Sequence, residues 1–246
     1  MGDELKPKFN INTLNKNDVM TIIIIKEKQM KNSYVKVSMN KELIEKYITH
    51  TLEQNKAPES VYLFAKSAGI EEKEFYNHFA SLEGLENNIF SQWFLDTMEI
   101  QKSSEPWQAY SSREKALAVF FAFIENLKNY RSFVNFLHHR DSKMLPKWPS
   151  YLYQLHKDFV AELKPIIHEG LETKELAERK YVDDKYADGL WVNFVFIINF
   201  WLKDNSKGFE KTDEAIERSV NLAFDLMGKS ALDAALDFGK FLFQNK

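Results

Sequence analysis

Between Ser60 and Leu85 the chain reads SVYLFAKSAGIEEKEFYNHFASLEGL, and the spacing inside that stretch leaves few folds open. Val61, Phe64, Ala65 and Ala68 recur at i, i+3, i+4 and i+7, which predicts one buried face of a short helix opening after Pro58. Ala65 is small enough for another helix to cross closely, and Gly69 supplies the left-handed residue that ends the first helix and redirects the chain. Ile70, Phe75, Tyr76 and Phe79 give a second helix its apolar side. Ser81 then stands as a cap before a longer helix that carries Leu85, Ile89 and Phe90. Two short helices joined by a glycine turn form a helix-turn-helix, the unit whose second helix enters the major groove of DNA.

At these residues the chain resembles the TetR family of bacterial one-component regulators. The resemblance is carried by Ser60-Val61, Phe64-Ala65, Ala68-Gly69-Ile70, Phe75-Tyr76-Asn77-His78-Phe79 and Glu83-Gly84-Leu85, which fall at the family's intervals. It runs from Asn40 to Trp93. It implies an all-α chain with a three-helix head over residues 39–95 and a larger helical domain for ligand binding and dimerisation over residues 96–246. It also implies a homodimer that binds operator DNA through Ser60, Lys73, Tyr76, Asn77 and His78.

The departures fall where such a head would touch DNA. Glu71 occupies the usual serine cap of the reading helix, Glu72 and Glu74 follow, and Leu82 replaces a lysine of the closing motif. From Asn40 to Leu95 there are five lysines, no arginine and nine glutamates, a formal charge of −4 (5 − 9). Non-specific DNA affinity comes mainly from cationic side chains that neutralise phosphates and release counterions, so this head opposes what its shape suggests.

The remaining composition narrows the class. Eight glycines and six prolines in 246 residues favour long helices over hairpins or a phosphate-cradling fold. With no cysteine, disulfides, thiolate zinc sites and cysteine nucleophiles are excluded, which suits a reducing cytoplasm. HExxH, GxSxG, GxGxxG and the P-loop are missing, and the adjacent His138 and His139 diverge by about 100° on a helix, poor geometry for one metal. The expectation is no enzyme, no cofactor and no metal.

Residues 1–38 read as an extension foreign to the fold, with seven lysines against four acids. The expectation is an unstructured arm or a misassigned start, with Met20, Met30 and Met39 as alternative starts. The run Ile22 to Ile25 is too short for a signal-peptide core or a membrane span, so neither export nor insertion is expected.

Beyond Trp93, helical spacing predicts Ser112 to Lys128, a short helix around Phe133, Phe136 and Leu137, and Tyr151 to Glu169 stopped by Gly170 and kinked at Pro165. Lys185 to Leu202 follows behind a cap at Asp183 or Asp184, then Thr212 to Met227 with Thr212 as cap, and finally Ala231 to Phe243. By the family resemblance the two helices before the last pair with their mates across a two-fold axis, placing Trp191, Phe194, Ile198, Ile216, Val220 and Phe224 in the dimer interface. The same residues also fit the ordinary core of one chain.

Fourteen per cent aromatic residues suit an apolar cavity for a lipid or planar compound, with Phe120, Phe123, His138, Trp148, Tyr151 and Asn193 as lining. A buried Asn193 or Asn199 asks for a partner in ligand, mate or backbone. Two functions stay open: a homodimeric regulator that answers a hydrophobic small molecule, or a TetR-fold protein that has lost DNA binding and holds a lipid or a partner. The second is similar to the ubiquinone-biosynthesis lipid-binding family in its acidic head and its apolar terminal helix.

Overall fold

The computed structural model describes residues 39–141, 149–179 and 185–228. The extension, Trp148, Asp183, Asp184 and the expected helix Ala231 to Phe243 lie outside them. Among the described residues the regular structure is entirely helical. In chain order the helices are α1 (39–54), α2 (Val61–Ala68), α3 (Glu72–His78), α4 (Leu82–Ser103), α5 (Ser112–Lys128), α6 (Arg131–Asp141), α7 (Tyr153–Glu172), α8 (Tyr186–Lys203) and α9 (Glu210–Met227).

Hydroxyl caps set several starts. Ser60 Oγ accepts from Leu63 N at 3.2 Å, and Ser81 Oγ accepts from Gly84 N at 3.0 Å. Ser111 and Glu114 form a reciprocal capping box at the start of α5. Each satisfies amide donors that a helix start leaves without partners. Gly69 ends α2 at φ 72°, in the left-handed region that the turn into α3 requires.

Aromatic rings pack both halves. In the head, Phe64 meets Tyr47 of α1 and Phe75 of α3 edge to face, at 5.7 and 5.9 Å between centroids. In the body, Phe194 of α8 meets Phe120 and Phe123 of α5 and Phe159 of α7 at 4.9, 5.0 and 4.6 Å, and all four side chains are fully buried. Helix α4 runs unbroken past residue 95, so the expected division between 95 and 96 falls inside one helix shared by head and body.

Two helix ends differ from expectation. Gly170 does not stop α7, which continues to Glu172 and also passes through the exposed Pro165. Gly170 is buried because Leu176 folds back onto it: an added Cβ would lie 2.9 Å from the Leu176 side chain and 3.0 Å from Ser112 Oγ. Thr212 does not cap α9, which begins at Glu210. Buried Thr212 instead donates through N and Oγ1 to Asp204 Oδ2 at 2.9 and 2.7 Å. Asp204 Oδ1 accepts from Ser206 N and Oγ. Burial alone would raise this carboxyl, but the hydrogen bonds from Ser206 and Thr212 outweigh it and hold it at about 2.

Two arginines close the body. Arg131 donates to the carbonyls of Trp201, Leu202 and Asp204 at the end of α8, and its guanidinium lies 4.9 Å from the Trp201 ring and 4.6 Å from the Phe209 ring. Arg179 donates to the carbonyls of Leu226, Met227 and Gly228 at the end of α9. A cation on helix-end carbonyls meets both their unpaired acceptors and the negative end of the helix dipole.

The glycines give a paired test by urea denaturation. Gly170→Ala is expected to lower stability by about 1–2 kcal/mol, since the buried Leu176 side chain must shift to admit the added carbon. Gly189→Ala, where nothing lies within 4 Å of the added carbon, is expected to raise it by about 0.5–1 kcal/mol through helix propensity. Equal effects at the two positions would contradict this packing.

Candidate nucleic-acid interface

Helix α3 buries Phe75 and turns Lys73, Tyr76 and Asn77 outward. Tyr76 is 52% exposed, so it belongs to the surface and not to the apolar side the sequence suggested. Tyr62 and Leu63 of α2 add further exposed apolar surface, a feature hidden in the sequence by their place between buried neighbours. Ser60 is committed as the α2 cap.

Two expected DNA contacts are tied up within the protein. His78, with its side chain 7% exposed, places Nδ1 2.7 Å from Asn40 Oδ1 and Nε2 3.2 Å from Glu74 Oε1, so it pins α3 to α1. It faces inward, in line with the alternative that it only hydrogen-bonds its neighbours. Asn77 Nδ2 donates to Glu74 Oε2 at 3.0 Å, which occupies the amide that would otherwise face a base edge.

The electrostatics are those the composition implied. Glu71 caps α3 without a side-chain hydrogen bond, and Glu72 and Glu74 lie in its first turn. Their carboxylates occupy the end where the helix dipole would favour a phosphate. Lys41 pairs with Asp96 at 2.8 Å and Lys56 with Glu59 at 2.5 Å. Lys46 pairs with Glu42 at 2.7 Å and donates to the Ala68 carbonyl at 2.8 Å. Among the described residues of the head, Lys66 and Lys73 are the lysines outside such pairs.

Head and body meet at a buried carboxylate. Glu86 of α4 accepts the Tyr47 hydroxyl from α1 and two bonds from the Arg140 guanidinium of α6, at 2.7 and 2.8 Å. Burial first, then the Glu86 charge, pushes the Tyr47 phenol far above its ordinary range, so it remains a donor. Beside this joint, Tyr130 stacks on Trp93 at 4.1 Å and donates to Glu45 of α1 at 2.8 Å. Burial and Glu45 raise the Tyr130 phenol to about 12. A groove of about 900 Å³ lies between the α1–α2 turn and α6, with Leu52, Ala57, Pro58 and Phe136 as apolar lining and Asn55, Lys56, Glu59, Ser132, Asn135, His139 and Arg140 as polar and charged lining.

The expected ligand residues in the described part take several places. Phe120 and Phe123 are fully packed in the body core, Tyr151 is buried against Phe90 at 4.9 Å, and Trp148 lies outside the described residues. His138 is half-buried on α6, where burial, then His139 and Lys203, lower its basicity. Asn193 is half-buried on α8, its amide nitrogen shielded and without a hydrogen-bond partner among the described residues, whereas Asn199 donates to the Val195 carbonyl at 2.8 Å.

The expected dimer residues lie inside the single chain. Trp191, Phe194, Ile198, Ile216, Val220 and Phe224 are all under 5% exposed in the single chain, because α8 and α9 turn them onto α5, α7 and each other. The outward faces of the same helices carry Val192, Phe196, Leu222 and Leu226, each more than half exposed. Among the described residues no group of three histidines or carboxylates could hold a metal ion, and no helix is long and apolar enough to cross a membrane.

The described residues form an all-helical chain whose first helices include a helix-turn-helix. The family model described as tetracycline repressor-like, C-terminal domain, matches residues 115–242, more than half of the sequence, and the chain belongs to that family. No curated protein matches it. A protein of Shewanella sp. PV-4 assigned to the TetR family of transcription regulators is similar in structure, with a TM-score of 0.50 and 17% identity over 76% of this chain and 97% of that one. A bacterial regulatory protein of the TetR family from Rhodococcus RHA1 aligns with a TM-score of 0.47 and 11% identity, covering 77% of this chain and 96% of its own.

The Glu86 joint can be tested by a double-mutant cycle in urea. Arg140→Ala is expected to cost about 3 kcal/mol, because it strips a buried carboxylate of its cation. In a Glu86→Gln background the same change is expected to cost roughly half as much or less. Equal costs in both backgrounds would show that the pair carries no coupling.

Proposed function

We propose that the protein is a homodimeric DNA-binding regulator that reads operator DNA through α3 and answers a hydrophobic small molecule. The observation that carries the reading is the α2–Gly69–α3 unit itself. A capped helix, a left-handed glycine and a second helix with Lys73 and Tyr76 outward have the shape and the exposed donors that major-groove recognition uses.

The dimer contact is assigned to the outward faces of α8 and α9. Val192 and Phe196 stand one helical turn apart, as do Leu222 and Leu226, and such stripes lose water when two copies pair about a two-fold axis. The effector is assigned to the groove between the α1–α2 turn and α6, which suits an apolar molecule with one polar end. A ligand there would touch head and body together, and it regulates by binding one of their arrangements more tightly than the other.

A second reading, a protein of the same fold that holds a lipid or partner and no DNA, is favoured by Glu71, Glu72 and Glu74 on the reading helix. Fluorescence anisotropy with duplex from the protein's own upstream region at about 50 mM salt separates the two. Binding is expected, with Tyr76→Ala and Lys73→Ala each weakening it about tenfold. Absence of binding by the parent protein decides for the second reading.

Sedimentation tests the interface. The parent is expected to be a dimer at micromolar concentration, and Phe196→Lys combined with Leu222→Glu is expected to be a folded monomer. A monomeric parent, or a variant that still dimerises, would remove α8 and α9 as the contact.

A further inference from the structure

We infer that Glu74 decides which side chains of α3 can read DNA: it holds the Asn77 amide against the helix, so that base recognition falls to Lys73 and Tyr76 alone. The inference rests on the DNA-binding reading proposed above.

At about 100° per residue, Lys73, Tyr76 and Asn77 share one arc of roughly 100° around α3. All three are exposed there, and Phe75 is buried on the opposite side. Glu72 and Glu74 stand at the two borders of this face, each about 100° from Lys73. Each reaches a side chain one turn further on. Glu72 Oε1 accepts from the Tyr76 hydroxyl at 3.4 Å, and Glu74 Oε2 accepts from Asn77 Nδ2 at 3.0 Å.

The two contacts differ in what stands behind them. The Tyr76 bond is long and both of its partners are exposed, so the phenol is readily released to a base or phosphate. Glu74 is anchored. Its other oxygen lies 3.2 Å from Nε2 of the buried His78 side chain, whose Nδ1 lies 2.7 Å from Asn40 Oδ1 in α1. The carboxylate that holds Asn77 is thus fixed by the same pin that sets α3 against α1.

An asparagine amide recognises adenine by donating to N7 and accepting from N6, which requires the amide to extend from the helix into the groove. A bond back to the preceding turn lays it along the helix surface. The Glu74 carboxylate beside it also repels N7, itself an acceptor. Asn77 carries the single amide side chain of α3, so the glutamate does more than oppose phosphate. It removes adenine pairing from the outward face and leaves a cation, Lys73, suited to the acceptors of guanine, together with a phenol.

The test is selection by full-length protein from a pool of duplexes with a randomised central stretch, at about 50 mM salt, with the bases of the bound fraction counted by sequencing. The proteins compared are the parent, Asn77→Ala, Glu74→Gln, Glu74→Ala, and Glu74→Ala combined with Asn77→Ala. Asn77→Ala, which leaves the pin untouched, is expected to select the same bases as the parent. Glu74→Gln keeps an oxygen for the Asn77 amide and sheds the charge, so it should bind more tightly with an unchanged preference. Glu74→Ala should enrich adenine about tenfold at one position of each half-site, the discrimination of one bidentate pair, and the double variant should lose that enrichment. The inference is overturned if Asn77→Ala alone shifts the preference, if Glu74→Ala selects as the parent does, if Glu74→Gln gains adenine as well, or if the double variant keeps it. In each of those cases the DNA-binding reading stands. A parent that enriches no sequence removes that reading, and the inference with it.

Discussion

A carboxylate that is nearly inaccessible to water cannot be left without partners, and Glu86 is such a group at the junction of three helices. Its partners come from α1 through Tyr47 and from α6 through Arg140, so the solvation of one side chain depends on two helices far apart in sequence. Head and body are therefore not two independently packed units joined by a strap. Whatever displaces α6 acts on a group that also holds α1, and the Glu45–Tyr130 bond beside it repeats the connection at the surface. The groove between the α1–α2 turn and α6 opens next to this polar joint.

The body is held differently. Its middle is a cluster of phenylalanine rings, which gives bulk but little direction, and its helix ends are fixed by two guanidinium groups. Arg131 at the start of α6 and Arg179 after α7 each reach the final carbonyls of a helix from elsewhere in the chain. The planar fork of an arginine can satisfy several carbonyls at once, which a lysine cannot do in the same geometry. Phe209, in the α8–α9 turn, combines an unfavourable φ of 64° with its contact beneath Arg131.

Local signals were the most legible part of the sequence. Ser60, Ser81 and Gly69 act through the nearest turn of backbone, and the start and finish of α5 follow from its own apolar spacing. Features that depend on distant residues were hidden. Gly170 looks like a stop signal until Leu176 is seen to fill the space above it. Thr212 looks like a cap until Asp204 takes its hydroxyl and amide. On α8 nearly every position is apolar, so spacing alone could not distinguish Phe194, which faces the core, from Phe196, which faces out. For the same reason the surface of the head was legible in its charge but not in its contacts. The excess of glutamate is a count, whereas the capture of His78 by Asn40 depends on how α1 and α3 pack.

Helix α4 spans 22 residues, from the capped turn after α3 to the floor of the body. At a rise of about 1.5 Å per residue it is a rod of roughly 33 Å. Pivoted at its body end, such a rod multiplies small angles: a tilt of about 6° moves the Ser81 end by roughly 3.4 Å, the rise of one base pair along a DNA strand. Movements of that order, well below anything that would disrupt the aromatic core, would suffice to take α3 out of register with a duplex docked on it as proposed.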